Sequence, residues 1–336
     1  MVQIPTMQHI AELAGVSKST VSRALADDPR VNQQTKARIK KIAAELNYRP
    51  NPVAAGLANK RTYTLGLVIP LNPRSISDPF YLEFIGGVGD FAITKGYSLL
   101  LSSLYPTACQ TPSHVLMAEG NRVDGLILTE PLADDPRVTY LHDKDIPFVF
   151  LGNSGPSPDL YWVNGDNIAG VKAAIAHLVE SGHHEIGCIA GSQQLKHGQE
   201  RLIGYKEALQ EAGLPYSSQR LVEADFTEHG GYQGMQQLLK QAPQITAVFA
   251  ANDLMAIGAL RAIKEAQLQV PNDIALVGFD GITLTQYTSP PLTTIRQPIY
   301  EMGFLAAEML VKIILGEPIT EPQVLLPLEL VVRGSS

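Results

Sequence analysis

Three times in the first fifty positions, apolar residues recur at helical spacing behind a residue able to cap a helix. In residues 6–25, TMQHIAELAGVSKSTVSRAL, Thr6 precedes a stripe of Ile10, Leu13 and Ala14, and Gly15 permits a turn. Ser17 then opens a second helix whose Val21, Ala24 and Leu25 point inward, while Lys18, Ser19, Ser22 and Arg23 share its outward face. Asn32 caps a third helix with Ile39, Ile42, Ala43 and Leu46 as its buried stripe. Three short helices around a turn, one with a small polar face, describe an N-terminal all-α helix-turn-helix headpiece able to enter a DNA major groove.

Residues 47–62, NYRPNPVAAGLANKRT, separate this unit from the first clear strand. Asn51 can cap there and Pro52 suits the first helical position. Two turns are marginal alone in water, and Gly56 weakens them by about 1 kcal/mol relative to Ala. The segment reads either as a plain linker or as a hinge helix that forms only on DNA beside a second copy of itself. In the second reading Leu57 is an apolar wedge for the minor groove.

From residue 64 the pattern changes to short apolar runs alternating with amphipathic stretches. Strands are predicted at 64–70, 97–103, 124–129, 147–152, 185–190, 247–251 and 274–280, with another near 222–226. Helices are predicted at 168–181, 199–212, 228–241 and 253–266. Such alternation implies α/β architecture with parallel sheets covered on both faces, and the break at PSPDLYWVNGDN divides it into two doubly wound subdomains. A late helix at 298–316 is expected to return to the first subdomain and the strand at 323–333 to the second. The predicted organisation is therefore a headpiece (1–48), a hinge (49–61), one core subdomain (62–162 with 292–321) and another (163–291 with 322–336).

Ligands of open α/β sheets bind beyond the carboxyl ends of the strands, and polar residues gather at those ends here. Asp78, Phe80 and Tyr81 follow the first strand, Gly152 and Asn153 the fourth, and Asn252 and Asp253 end AVFAA. Asp280 ends IALVGF, Arg201 lies early in the helix after EIGCIAG, and Trp162 marks the crossover. Carboxylates, an amide and an arginine beside aromatic faces suit a polyol. Asp253 reads equally well as a helix cap.

Charge sharpens the picture of the headpiece. The overall balance is −7, yet residues 1–61 hold ten Lys and Arg against four Asp and Glu, a net +6 beside a body of −13. A basic headpiece on an acidic body is the electrostatic footprint of phosphate-backbone binding. Cys109 and Cys188 each sit among apolar residues and read as reduced and buried, with a disulfide the less favoured alternative. MVQIPTMQHI carries no signal-peptide pattern and no apolar run approaches a membrane span, so a cytoplasmic protein is expected. His183, His184 and Glu185 are adjacent, so their side chains diverge, and no metal site is expected. GGVGDF falls inside a helical stretch, no P-loop occurs, and no serine sits in a nucleophile elbow, so neither a bound cofactor nor enzymatic turnover is expected.

The motifs IAELAGVSKSTVSRAL, YRPNPVAAGLANKRT, GLVIP, GDNIAG, HLVESGHHEIGCIAG, ERLIGYKEAL, FAANDLMAIGALRAI, VPNDIALVGFDG and PPLTTIRQP occur in that order. By them the chain resembles the LacI/GalR family of bacterial transcriptional regulators over essentially its full length. The resemblance implies a homodimer on a pseudo-palindromic double-stranded operator, with a periplasmic-binding-protein-like core that senses a small molecule. It implies that Ser17, Lys18, Ser19, Ser22 and Arg23 face bases or phosphates, that Thr6, Tyr48 and Asn51 hold backbone, and that Leu57 is the hinge wedge; Arg30 joins the DNA-facing candidates. In the core it implies Phe80, Tyr81, Trp162, Arg201, Phe226, Asn252 and Asp280 as effector-pocket positions. Three positions depart from the pattern. Ala55 replaces a frequent Arg, Asn153 stands where relatives often have Arg, and Leu195 replaces the Arg found in purine-responsive members, which points to a carbohydrate effector. No leucine heptad follows residue 333, so a dimer is expected over a tetramer. The alternatives are a nucleobase or protein corepressor, a sugar-binding protein without DNA function, and an α/β enzyme on the same class of ligand.

Overall fold

The computed structural model describes residues 5–25, 27–48, 61–70, 78–103, 111–132, 134–155, 157 and 159–336. The chain divides into two units, residues 1–62 and 63–336. The expectations for Asn51, Ala55, Gly56, Leu57 and Cys109 lie outside the described residues.

The first unit holds α1 (Met7–Ala14), α2 (Lys18–Leu25) and α3 (Gln33–Glu45). Each begins at its anticipated cap: the Thr6 side chain accepts from the His9 backbone, Ser17 Oγ from Thr20 N at 3.2 Å, and Asn32 Oδ1 from Thr35 N at 2.8 Å. His9 completes a capping box by accepting the Thr6 N–H through Nδ1. Gly15 closes α1 in the left-handed region (φ 61°), where a side chain would be strained. Ile10, Ala11, Ala14, Val21, Ala24, Val31, Ile39 and Ala43 form the buried core, with Leu25, Ile42, Leu46 and Tyr48 packed against it. Leu13 does not join this core as expected; it is 65% exposed, and Ala11 takes its place. At 100° per residue Leu13 lies on the far side of Ile10 from Ala11 and Ala14, and so small a bundle covers only a narrow stripe.

The second unit contains two six-stranded sheets. In the first lie β1 (Thr64–Ile69), β2 (Ser98–Ser103), β3 (Gly125–Leu128), β4 (Phe148–Leu151) and β5 (Trp162–Gly165). With β11 (Gln323–Leu326) their order is β11-β5-β4-β3-β1-β2, all parallel. The second sheet holds β6 (Ile186–Ala190), β7 (Leu221–Glu223), β8 (Ala247–Ala250), β9 (Ala275–Asp280), β10 (Thr293–Arg296) and β12 (Glu329–Val331). Its order is β12-β10-β9-β8-β6-β7, parallel except for β10 with β12. Helices α4 (Pro79–Thr94), α5 (Ser113–Glu119), α6 (Pro136–Asp143) and α11 (Ile299–Leu315) belong with the first sheet. Helices α7 (Asn167–Glu180), α8 (Lys196–Glu211), α9 (Glu228–Gln241) and α10 (Asp253–Glu265) belong with the second. Central strands β1, β3, β4, β6, β8 and β9 are buried almost throughout, as parallel strands covered on both faces must be.

The chain crosses between subdomains three times: after β5, between β10 and α11, and between β11 and β12. These crossings correct the expected boundaries. Trp162–Gly165 forms a complete strand of the first sheet, β10 belongs to the second sheet, and β11 returns to the first before β12 crosses over. An apolar run announces a strand but not which of two similar sheet edges will pair with it. Helix α11 does return to the first subdomain, where Gly303 lets it approach α4 closely; a Cβ there would strike the Phe84 carbonyl oxygen. Among the described residues no helix is long and apolar enough to cross a membrane.

Candidate functional site

A cavity of about 270 Å³ lies between the two subdomains of the second unit. From the first subdomain, Asp78 caps α4 by accepting from Phe80 N at 3.0 Å, which places its carboxyl at the cavity wall. Burial, and then the negative charge of Asp280, push the Asp78 carboxyl up to about 7. Phe80 and Tyr81 follow on the first turn of α4, their rings edge to face at 5.4 Å. The Tyr81 hydroxyl donates to Glu130 Oε1 at 3.1 Å, and burial raises that phenol above its ordinary range. Arg137 fixes the strand end carrying Glu130, donating to the carbonyls of Thr129 and Glu130 at 3.0 Å each and pairing with Asp135 at 2.5 Å.

The second subdomain supplies Arg201, on the second turn of α8 and 6% exposed. Its Nε donates to Asn167 Oδ1 at 2.9 Å, Nη1 to the Ala251 carbonyl at 2.6 Å, and Nη2 lies 3.3 Å from Asp280 Oδ1. The guanidinium carbon sits 3.8 Å from the Phe279 ring centroid. Asp280 also accepts from Gln297 Nε2 at 2.8 Å; burial raises its carboxyl to about 6 against the opposing pull of Arg201. Asn252 caps α10 by accepting from Met255 N at 2.9 Å, and its amide donates to the Phe226 carbonyl at 3.0 Å. That bond holds Phe226 in a positive-φ conformation (61°), while Asp280 has φ 113°. Such backbone strain gathers at ligand sites, where surrounding bonds over-determine it. The His197 ring lies 4.8 Å from that of Phe226, and burial followed by the Arg201 charge pushes the imidazole down to about 3, so it is neutral.

Asp78, Phe80, Tyr81, Arg201, Phe226, Asn252 and Asp280 thus meet around one cavity. Trp162 and Asn153 are not among its lining residues. Trp162 opens β5 and is buried within the cluster that includes Phe148 and Phe150; Asn164, two residues on and on the same face, stands nearer the carboxyl end of the strand, where the cavity lies. Asn153 is used at both ends of its amide: Nδ2 donates to Glu200 Oε1 at 2.8 Å, and Oδ1 accepts from Gly155 N at 2.9 Å. Asp253 is neither cap nor cavity residue. Fully buried, it accepts from Gly281 N, Ile282 N and Thr294 Oγ1 at 2.7, 2.9 and 2.5 Å, which ties the end of β9 to β10.

Several cavity residues went unanticipated: Glu130, Asn164, Asn167, His197, Asp225 and Gln297. His197 and Arg201 lie four apart and therefore on one face of α8, a signal that was available. Glu200, beside them, accepts from Asn153, Asn164 and Asn167 at 2.8, 3.1 and 2.8 Å and so joins the two subdomains. A second link is the Lys196 N–H donated to the Pro131 carbonyl at 3.1 Å, next to a bridge between Leu132 and Leu195.

In the first unit, Lys18, Ser19, Ser22 and Arg23 are all exposed on α2, and Thr6 and Ser17 are exposed at helix starts. Arg30 is exposed but its guanidinium grips Asp28 at 2.6 Å, and Tyr48 is half-buried against the headpiece core. His183 bonds Thr246 Oγ1 at 3.0 Å while Glu185 pairs with Arg220 at 2.9 Å, so the adjacent acid and imidazole do diverge. Among the described residues no group of three His, Cys, Asp or Glu side chains is gathered for a metal.

The profile of bacterial regulatory proteins of the lacI family matches residues 6–51, and that of a periplasmic binding protein-like domain matches residues 175–336. The chain is 36% identical over 337 residues to the HTH-type transcriptional regulator CelR of Thermobifida fusca, covering 98% of each. A CelR–cellobiose complex superposes with a TM-score of 0.77, over 99% of this chain and 100% of that one. Identity to the ribose operon repressor of Escherichia coli (strain K12) is 34% over 332 residues, 98% of this chain and 99% of the repressor. A lac repressor dimer bound to operator and the anti-inducer ONPF, 31% identical, superposes with a TM-score of 0.87 over 99% of each chain.

Proposed function

The chain belongs to the LacI family of bacterial regulatory proteins, and we propose that it is a homodimeric transcriptional repressor whose hold on its operator is set by a small carbohydrate in the cavity between its core subdomains. Its place of action is the cytoplasm, and it acts by binding and not by turnover. The observation that carries this reading is the cavity wall: a buried Arg201–Asp280 pair and the Asp78 carboxyl beside the rings of Phe80, Tyr81 and Phe226. Carboxylates and a guanidinium form directional bonds to vicinal hydroxyls, while aromatic faces cover the apolar C–H surface of a sugar ring. Among the relatives, CelR is a transcriptional regulator seen in complex with cellobiose, and another is the repressor of a ribose operon.

The headpiece supplies the other half. Lys18, Ser19, Ser22 and Arg23 reach base edges or phosphates from α2 lying in the major groove; Ser17 does so from its start, Arg30 is a further DNA-facing residue, Thr6, Tyr48 and Asn51 hold backbone, and Leu57 enters the minor groove. A pseudo-palindromic operator matches the two-fold axis of the dimer. Occupation of the cavity shifts the two subdomains about the three crossover segments, with the Glu200 amide cluster and the Pro131–Lys196 bond among the contacts that change. Only a difference in effector affinity between the two arrangements can drive this, and each 1.4 kcal/mol of it changes operator affinity about tenfold.

Two measurements on the full chain test the reading: calorimetric titration with free sugars, and fluorescence anisotropy on genomic fragments with and without the sugar that binds. A carbohydrate that binds the core and changes operator affinity is expected. A nucleobase binding where every carbohydrate fails would replace the effector class, and indifference to all duplex sequences would end the proposal.

A further inference from the structure

We propose that the cavity selects uncharged polyols and rejects anionic carbohydrates, so that the effector is a free sugar in preference to its phosphate or its acid. This rests on the carbohydrate reading above and narrows it. Among the described lining residues, four carboxyl groups, those of Asp78, Glu130, Asp225 and Asp280, share the wall with a single guanidinium, that of Arg201.

The guanidinium is already engaged on three sides. Asn167, the Ala251 carbonyl and Asp280 take its Nε, Nη1 and Nη2, and its face lies on the Phe279 ring. Of its five N–H groups only one on each Nη is left over, so a phosphate seated on them would lie against the Asp280 carboxylate and compete with it for the buried cation. The remaining basic side chain on the wall, His197, is held neutral by burial and by Arg201. Each of the four carboxyl groups is fixed by a donor: besides Phe80 N on Asp78 and Gln297 on Asp280, Tyr81 Oη donates to Glu130 at 3.1 Å, and Thr227 gives both its N–H and its hydroxyl to Asp225 Oδ1, at 3.1 and 2.6 Å.

Anion sites in proteins combine Arg or Lys forks with free N–H groups at helix N-termini. Five helix starts reach this wall, and each already gives away an N–H. Asp78 caps α4, Asp166 caps α7, Thr227 caps α9, Asn252 caps α10, and Lys196 at the start of α8 donates its N–H to the Pro131 carbonyl. Hydroxyl groups suit the same wall, since each can donate to a carboxylate and accept from the Arg201 or Asn amide protons. The cavity, about 270 Å³, sits just below the roughly 300 Å³ at which pockets for drug-sized ligands begin, a size on the scale of one or two sugar rings.

The test is calorimetry on the full-length protein at pH 8 with matched pairs: ribose and ribose 5-phosphate, glucose and glucose 6-phosphate, cellobiose and cellobiose 6′-phosphate. In whichever pair binds, the phosphate is expected to be weaker by at least about a hundredfold, because like charges brought together cost several kilocalories per mole. The E130Q/D225N double variant should narrow that ratio by about tenfold or more, since it removes two of the negative charges. Lowering the pH from 8 to 6 should narrow it too, as Asp78 takes up a proton and the phosphate monoester, whose second pKa is about 6, loses part of its charge. A phosphorylated member that binds as tightly as its free partner overturns the proposal. Failure of every pair, free and phosphorylated alike, overturns the carbohydrate reading itself and the selectivity with it.

Discussion

Asp78→Asn should stabilise the core, and by an amount that depends on pH in a calculable way. Asp78 is 9% exposed, and its carboxyl is pushed up from 3.8 to about 7 by burial and by Asp280. A carboxyl raised on folding holds its proton where the unfolded chain has lost it, so the native state is penalised as pH rises from about 4 to 7 and carries the full penalty above that. At about 1.36 kcal/mol per unit, the penalty is about 4 kcal/mol at pH 8, near 1.7 at pH 5 and near 0.6 at pH 4. Asparagine has no charge to desolvate and caps a helix as well as aspartate, so the bond from Phe80 N survives. The advantage of Asp78→Asn should therefore grow by about 2.5 kcal/mol between pH 5 and pH 8. Trp162, the single tryptophan, is buried in the first sheet, so its fluorescence during urea unfolding reports the core and not the headpiece. Midpoints at the two pH values with unchanged slopes give the difference directly. An advantage equal at both values, or a loss of stability at pH 8, would refute the burial argument. The gain should come with weaker effector binding, because a buried carboxyl that costs stability is a feature of the site and not of the scaffold.

Other variants probe the remaining links. Arg23→Ala removes an exposed cation from the outward face of α2 and should weaken operator binding by about 1–3 kcal/mol, read by anisotropy, while calorimetric titration of the effector stays as it was. Arg201→Met should abolish effector binding and lower core stability at pH 8 by about 3–5 kcal/mol, because Asp280 is left buried beside no cation. Adding Asp280→Asn to Arg201→Met should then recover part of that stability but none of the binding. Ser17→Ala deletes the acceptor of the Thr20 N–H and should cost the headpiece about 1 kcal/mol, visible as earlier loss of helical circular dichroism with the Trp162 transition unmoved.

Local features of this chain follow from short-range physics and could be read from residue order. Thr6, Ser17 and Asn32 are caps because a short side-chain oxygen reaches the exposed N–H groups of the next turn whatever lies elsewhere. Residues 228–241 form a helix over the anticipated span because period and capping agree there. Asp78, Arg201, Asn252 and Asp280 converge because parallel strands all end on one side of their sheet. Other outcomes depended on partners remote in the chain. Strand β11 pairs with β5, about 160 residues earlier, and β10 with β9, a choice between two sheet edges that a buried strand pattern does not encode. Asn153 turns to Glu200 in place of the cavity, Trp162 to the hydrophobic layer, and Leu13 to solvent, each because of what packs beside it. The carboxyl of Asp78 is pushed up to about 7 because the fold buries it and sets Asp280, roughly 200 positions away, close enough to oppose its charge. Helical and strand periods act over a few residues, whereas pairing, burial and charge coupling act through space, and only the assembled fold brings those groups within reach of one another.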